Sequence, residues 1–320
     1  MNRVILFNNY ITSTPIEKSH ISICEKNNIE YIGDDCTTES DLIGKAKNAD
    51  IIFFQGHVKM SKKVIDSLPN LKFIQVRGIG CNSVDLKTAA TSNIPVSNLP
   101  GFCSDEVSTH AIALLLSFMR RIPENDKLLK QGKWDKIGFG FNGLDTLKAE
   151  SIGIVGYGSI GRLISKKLSC FGAEILVHDP SIEEGSKNNI KFTSLNNLLG
   201  SCKYIILACP LSKSTEHMID KEEFDLMKND AILINIARGK LINEKALIDS
   251  LKEKRIGGAA LDVFEKEPIS DNDPLLKLKN VILSPHNAGQ SKKSYELSLK
   301  MSFNEIIRFV SGKKLQYRVN

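Results

Sequence analysis

Residues 151–179 read SIGIVGYGSIGRLISKKLSCFGAEILVHD, and this stretch decides the fold. It opens on a short apolar run, residues 152–155, of the kind that forms a buried parallel strand. Gly156, Gly158 and Gly161 follow in the spacing G-x-G-x-x-G, then an amphipathic helical pattern as far as Phe171. A second apolar run, residues 175–177, leads into Asp179. Each part has a task in holding a dinucleotide. Gly156 permits the tight turn out of the strand, Gly158 lets the backbone approach a pyrophosphate, and Gly161 lets the helix pack closely on the sheet. The helix start then offers unpaired N–H groups and a positive dipole end to the phosphates. A carboxylate at Asp179 can accept both hydroxyls of the adenosine ribose.

Asp179 also selects the cofactor. A 2′-phosphate would sit beside it, and unit charges about 4 Å apart repel by roughly 1 kcal/mol in water and about 4 kcal/mol at an effective dielectric near 20. That is about fivefold to about a thousandfold discrimination. The following PSIEEG supplies no Arg and adds Glu183 and Glu184, so NAD is expected rather than NADP.

The 320 residues suit two α/β domains, each with its own core. The net charge of +6 is spread along the chain without a dense Lys/Arg block, so neither nucleic acid nor a membrane is an expected partner. The seven cysteines are scattered with no C-x-x-C pair, which argues against a disulfide framework or a metal site and fits a reducing cytoplasm. MNRVILFNN is too short an apolar stretch for a signal peptide, and residues 111–119 are too few to span a bilayer.

Before the glycine motif, apolar runs at VILF, IIFF, KFIQV and IPVSN alternate with helical patterns at residues 15–28, 39–47 and 62–67. This rhythm predicts a parallel sheet with helices on both faces. Arg77, Gly78, Ile79 and Gly80 close the third run, where ligands of open α/β sheets bind. The glycines could leave amides free for a carboxylate, or form a plain turn. A helix from Ser104, read as its cap, to about Arg121 leads into the second domain, and Trp134 reads as a packing anchor. Beyond Asp179, runs at residues 231–235, 259–263 and 281–283 deliver Arg238, Glu267 and His286 at or just past their carboxyl ends. The other five histidines lack such partners by sequence, and His178 and His217 read as structural or exposed.

From Arg77 to Gly289 the sequence strongly resembles the D-isomer-specific 2-hydroxyacid dehydrogenases, which include phosphoglycerate dehydrogenase and hydroxypyruvate/glyoxylate reductase. The resemblance rests on GIVGYGSIGR with Asp179, ACPLSKSTEHMI, INIARGKLINEKAL, AALDVFEKEP and SPHNAG. It implies two doubly wound parallel-sheet lobes with the active site in the cleft. A Rossmann NAD domain, residues 103–287, would be inserted in a discontinuous flavodoxin-like substrate domain, residues 1–102 and 288–320. It further implies that Arg238 binds substrate and polarises the carbonyl, that Glu267 partners the histidine, and that His286 is the acid/base. Gly78, Ile79 and Gly80, with Arg77, would hold the substrate carboxylate. Ser159 and Ile160 would meet the pyrophosphate and Asp179 the ribose. Cys209, Pro210, Thr215, Ile236, Ala237, Arg238 and Asp262 would line the rest of the NAD site, with Asp262 near the carboxamide. Two residues depart from the pattern: Thr109 stands where many members have Glu, and Glu150 where a Gly-Lys pair is usual. A homodimer is expected, with the helix from Ser104 and the loop-rich passage of residues 132–143 as the natural place for its contacts.

The chemistry follows independently. Reducing a 2-keto acid needs a hydride at C2, which a nicotinamide carries, and a proton at the oxygen. An imidazole is the natural donor, and Glu267 would stabilise its charged form. Arg238 supplies positive charge where the oxygen becomes negative. The alternatives are an NAD(H)-sensing regulator of co-repressor type on the same fold, and a formate- or phosphite-type dehydrogenase. The formate enzymes lack a Glu at position 267.

Overall fold

The structure is a computed structural model and describes residues 4–9, 18–55, 58–134, 144–187 and 190–320. The chain forms two units. One comprises the described residues up to Phe102 together with Ser291–Asn320, the other Cys103–Gln290.

In the first unit five parallel strands, β1 (Val4–Asn9), β2 (Ile29–Asp34), β3 (Ile51–Phe54), β4 (Phe73–Val76) and β5 (Val96–Ser97), lie in the order β2-β1-β3-β4-β5. This is the flavodoxin-like doubly wound order. Period-two alternation divides the apolar runs between two faces. Leu6, Ile51, Phe53 and Phe73 pack with Leu299, Phe303 and Ile306 of the helix Lys292–Val310, while Phe7, Ile52, Phe54 and Ile74 belong to the opposite core. Covering both faces explains why IIFF is apolar at every position. Glu305, fully buried on that helix, accepts the amides of Gln316 and Tyr317, and Val319 pairs with Val96. The last residues are thereby tied to β5.

The second unit holds β6 (Ser151–Val155), β7 (Glu174–His178), β8 (Gly185–Lys187), β9 (Ile190–Phe192), β10 (Tyr204–Leu207), β11 (Ile232–Asn235), β12 (Gly258–Leu261) and β13 (Val281–Leu283). Their order is β13-β12-β11-β10-β6-β7-β9-β8, parallel except for β8. Strand order reverses at β6, which has β7 on one side and β10 on the other. In open α/β sheets that switch point is where ligands bind. The helix Ser104–Met119 packs on the helix Ser159–Ser169 and on β11 and β12.

Several elements differ from the sequence reading. The helix expected over residues 15–28 covers Lys18–Lys26, its first three positions lying outside the described residues, and β2 follows it directly. Ser104 is not a cap: Cys103 occupies that position with no side-chain hydrogen bond, and the Ser104 hydroxyl points to Ser159 Oγ at 3.5 Å. Trp134 is 63% exposed, so it is not the buried anchor expected of it; residues 135–143 of its loop lie outside the described residues.

Candidate active site

The site is built from the carboxyl ends of the second sheet. At the tip of β6, Gly156 has φ +97°, a conformation L side chains rarely adopt, and a Cβ there would lie 2.7 Å from the Cys209 amide nitrogen. A Cβ on Gly161 would overlap the Gly156 carbonyl. Gly158 has a different reason: a Cβ on it would meet nothing within 4 Å. That glycine leaves space above the backbone rather than relieving a clash. It is also the N-cap of the helix Ser159–Ser169 and carries no side-chain cap, so the amides at Ser159 and Ile160 keep their anion-binding capacity.

Asp179, just past β7, accepts the Tyr157 amide at 2.8 Å on one oxygen and the Ser181 amide and hydroxyl at 3.0 and 2.6 Å on the other. Burial pushes its carboxyl pKa up, but the Ser181 and Tyr157 bonds outweigh this and leave it below the ordinary value. Asp179 is therefore a fixed anion beside the glycine turn. Lys167 fastens the phosphate-side helix to the helix Ser104–Met119 through Asp105, Ser108 and Thr109. Thr109, one of the two departures from the family pattern, thus has a local partner.

Past β10, Thr215 Oγ1 donates to the Pro210 carbonyl and accepts the Ser212 amide, closing its own loop. Cys209 is half-buried, and burial pushes its thiol up to about 11, so it packs as a neutral group.

Past β11, fully buried Asn235 shapes the backbone: its side chain accepts the Ala237 amide and donates to the Arg238 carbonyl. Ile236 is buried in this turn. A Cβ on Gly239 would overlap the Phe264 carbonyl, so the turn after β11 presses directly on the one after β12. That second turn carries Glu267, whose Oε1 accepts the Phe264 amide at 2.9 Å and whose Oε2 lies 2.5 Å from His286 Nδ1. Burial pushes the Glu267 carboxyl pKa up. The bonds from His286 and the Phe264 amide, with the charges of His286 and Arg238, more than offset it. The Arg238 charge is the smallest of these influences on Glu267, and its guanidinium Nη1 donates to the neighbouring Ala237 carbonyl. Asp262, 1% exposed, accepts Ser284 Oγ, the Asn287 amide and the Ala288 amide.

Two histidines without a partner in the local sequence have acid neighbours in the fold. His217 Nε2 lies 2.5 Å from Glu265 Oε1, and His110 Nε2 lies 2.9 Å from Ser284 Oγ and 3.5 Å from Asp262. Their partners are 48 to 174 positions away in the chain, invisible to local pattern. His178 contacts the Thr193 carbonyl. In the first unit Arg77 lies 4.3 Å over the Tyr295 ring and donates to Ser298, both on the helix Lys292–Val310. Its guanidinium is engaged there rather than extended. Beside it the Gly78 and Ile79 carbonyls are bonded to Leu99 N and Asn98 Nδ2, whereas the amides of residues 78–80 have no acceptor among the described residues.

Residues 112–288 match the family profile described as D-isomer specific 2-hydroxyacid dehydrogenase, NAD binding domain. A glyoxylate reductase of Thermofilum pendens is 35% identical over 288 residues, covering 88% of this chain and 85% of the relative. The chain belongs to the D-isomer-specific 2-hydroxyacid dehydrogenase family. A second member of this dehydrogenase family, a D-3-phosphoglycerate dehydrogenase of Archaeoglobus fulgidus, is 32% identical over 313 residues. That match covers 97% of this chain but 59% of the relative, so the chain spans little more than half of that protein. A D-lactate dehydrogenase from Aquifex aeolicus, complexed with NAD and lactic acid, superposes with a TM-score of 0.85 at 26% identity over 96% of both chains. The open space at Gly158, the uncapped helix start and the fixed Asp179 carboxylate fit NAD, the cofactor of this family domain. Among the described residues no group of three or more His, Cys, Asp or Glu could hold a metal ion, and no helix is long and apolar enough to cross a membrane.

Proposed function

We propose that this protein is an NAD-dependent oxidoreductase interconverting a small 2-keto acid and its D-2-hydroxy acid. The observation that carries the reading is the 2.5 Å bond between His286 Nδ1 and Glu267, with the Arg238 charge acting on the same carboxylate. NAD would be held by Gly156, Gly158, Ser159, Ile160 and Gly161 at the phosphates and by Asp179 at the ribose. Cys209, Pro210, Thr215, Ile236, Ala237 and Asp262 would line the remainder. When bound, the cofactor supplies or takes the hydride. The protein's own part is the proton and the charge. With Nδ1 engaged by Glu267, His286 gives a proton from Nε2 to the carbonyl oxygen in reduction and takes it back in oxidation. Glu267 orients the ring and stabilises it while it is charged. Arg238 offsets the negative charge that develops on the oxygen, and its planar fork can also reach the substrate carboxylate. The amides of Gly78, Ile79 and Gly80 are the proposed carboxylate-binding group of the first unit, with Arg77 keeping that loop against its helix.

The substrates favoured are hydroxypyruvate, glyoxylate and the 3-phosphoglycerate/phosphohydroxypyruvate pair, because relatives with those activities share most of this chain's length. A homodimer is proposed as well. The helix Ile122–Lys130 buries no residue and leaves Ile122 and Leu129 about half exposed, near in sequence to exposed Trp134 and Leu144. Apolar surface of that kind is what a second copy would cover. The seven free cysteines support a reducing, cytoplasmic location. The test is NADH absorbance with glyoxylate, hydroxypyruvate, pyruvate and phosphohydroxypyruvate. Turnover of at least one supports the reading. Tight NADH binding with turnover of none would move the assignment to a cofactor sensor.

A further inference from the structure

His286 stands in a conformation that needs explaining. Its φ is +49°, the left-handed region that a residue with a Cβ enters at a cost and keeps only where its surroundings over-determine it. Asp262 supplies most of that determination, the Ser284 carbonyl sharing the His286 amide at 3.1 Å. The Asp262 carbonyl accepts the His286 amide at 2.8 Å, Oδ1 accepts the Asn287 amide at 3.0 Å, and Oδ2 accepts the Ala288 amide at 3.0 Å. Three consecutive amides, at and after the acid/base residue, are thus pinned to a single side chain and its own carbonyl.

Asp262 is itself held from one direction. It is 1% exposed, and among the described residues no Lys or Arg pairs with it. On its other side Ser284 Oγ donates to Oδ1 at 2.6 Å, and His110 Nε2 lies farther off, 3.5 Å from the same oxygen. A hydroxyl has one proton, so this bond leaves Ser284 Oγ only as an acceptor towards His110 Nε2, 2.9 Å away. His110 Nε2 therefore carries a hydrogen. The chain runs His110 Nε2–H to Ser284 Oγ–H to the Asp262 carboxylate, and from there to the backbone that fixes His286. Buried donors linked in series polarise one another, and a buried carboxylate deprived of one is left under-satisfied.

We infer that His110, on the helix Ser104–Met119, is a positioning residue for His286, acting through Ser284 and Asp262. The inference rests on the acid/base role proposed for His286 but concerns groups that reach that ring only through the backbone. Misplacing a reacting group by about an ångström can cost on the order of 100-fold. His110→Phe and Ser284→Ala should therefore lower kcat roughly 10- to 100-fold, with the Kd for NADH held within about threefold. His110→Gln and Ser284→Thr, which can keep a donor and a hydroxyl, should recover most of the loss. The double variant His110→Phe/Ser284→Ala should be no worse than the poorer single one, because both break one chain.

A second readout does not depend on turnover. The imidazole N–H signal of the His286–Glu267 bond can be assigned in proton NMR by its loss in His286→Gln. It should disappear or move in His110→Phe and Ser284→Ala and return in His110→Gln and Ser284→Thr. If wild type turns over none of the keto acids, the functional reading fails and this signal still decides the positioning chain. The inference is overturned if the signal keeps its wild-type position in both breaking variants. It is equally overturned if the kinetic losses of the two single variants multiply in the double one.

Discussion

Oε2 of Glu267 lies 2.5 Å from Nδ1 of His286, which leaves Nε2 as the nitrogen that can serve a substrate. The carboxylate is anchored as well by the Phe264 amide, so the ring is oriented by a group that is itself fixed. A lone histidine half-exposed on a strand tip would sample many orientations. This one is given a direction.

The pH dependence of that pair has a definite sign. Glu267 has a folded pKa below its ordinary value, so its contribution to stability is fully present above the unfolded carboxylate pKa and is lost as pH falls through the lower folded value. Urea midpoints of wild type minus Glu267→Gln should therefore keep the Glu267 contribution down to the ordinary carboxylate range near about 4.3 and lose it only below that range. A difference that instead begins to shrink near neutral pH would contradict the depressed carboxyl.

The glycines divide by mechanism. Gly158 has open space where a Cβ would go, so Gly158→Ala should unfold within about 0.5 kcal/mol of wild type yet bind NADH at least roughly tenfold more weakly, its methyl entering the space left for the pyrophosphate. Gly161→Ala and Gly239→Ala would drive a methyl into a backbone carbonyl and should lower the melting temperature outright. Titration of NADH fluorescence alongside thermal unfolding separates the two. A destabilised Gly158→Ala with normal NADH affinity would reverse the assignment.

Asp179 should govern the choice between cofactors. With its carboxylate fixed by Ser181 and Tyr157, wild type should prefer NADH to NADPH by somewhere between about fivefold and a thousandfold in kcat/KM. Asp179→Asn should collapse that ratio, chiefly by improving NADPH. Equal use of both cofactors by wild type would remove the electrostatic argument.

Much of the site was legible because its parts are local. The glycine spacing, the acid 18 positions past Gly161, and three polar residues each following an apolar run are patterns within a few residues of a strand. Other features had no such signal. The helix Ile122–Lys130 buries nothing and so carries no inward apolar stripe, and the hairpin of β8 and β9 has three-residue strands that are mostly exposed. β2 is only partly buried, and Gly33 breaks its apolar pattern. Trp134 reads as an anchor from the sequence because large aromatics are highly buried on average, but this one is exposed. The chain from His110 to Asp262 joins residues more than 150 positions apart and is created by packing the helix Ser104–Met119 on β12.

The central claim is that His286, oriented by Glu267 beside Arg238, moves the proton. The most direct measurement is the single-turnover rate of NADH oxidation, at saturating cofactor with the best keto acid, in wild type and His286→Gln. The account predicts a fall of about 10²- to 10⁴-fold or larger with NADH affinity unchanged. Transfer at the wild-type rate in His286→Gln would contradict it.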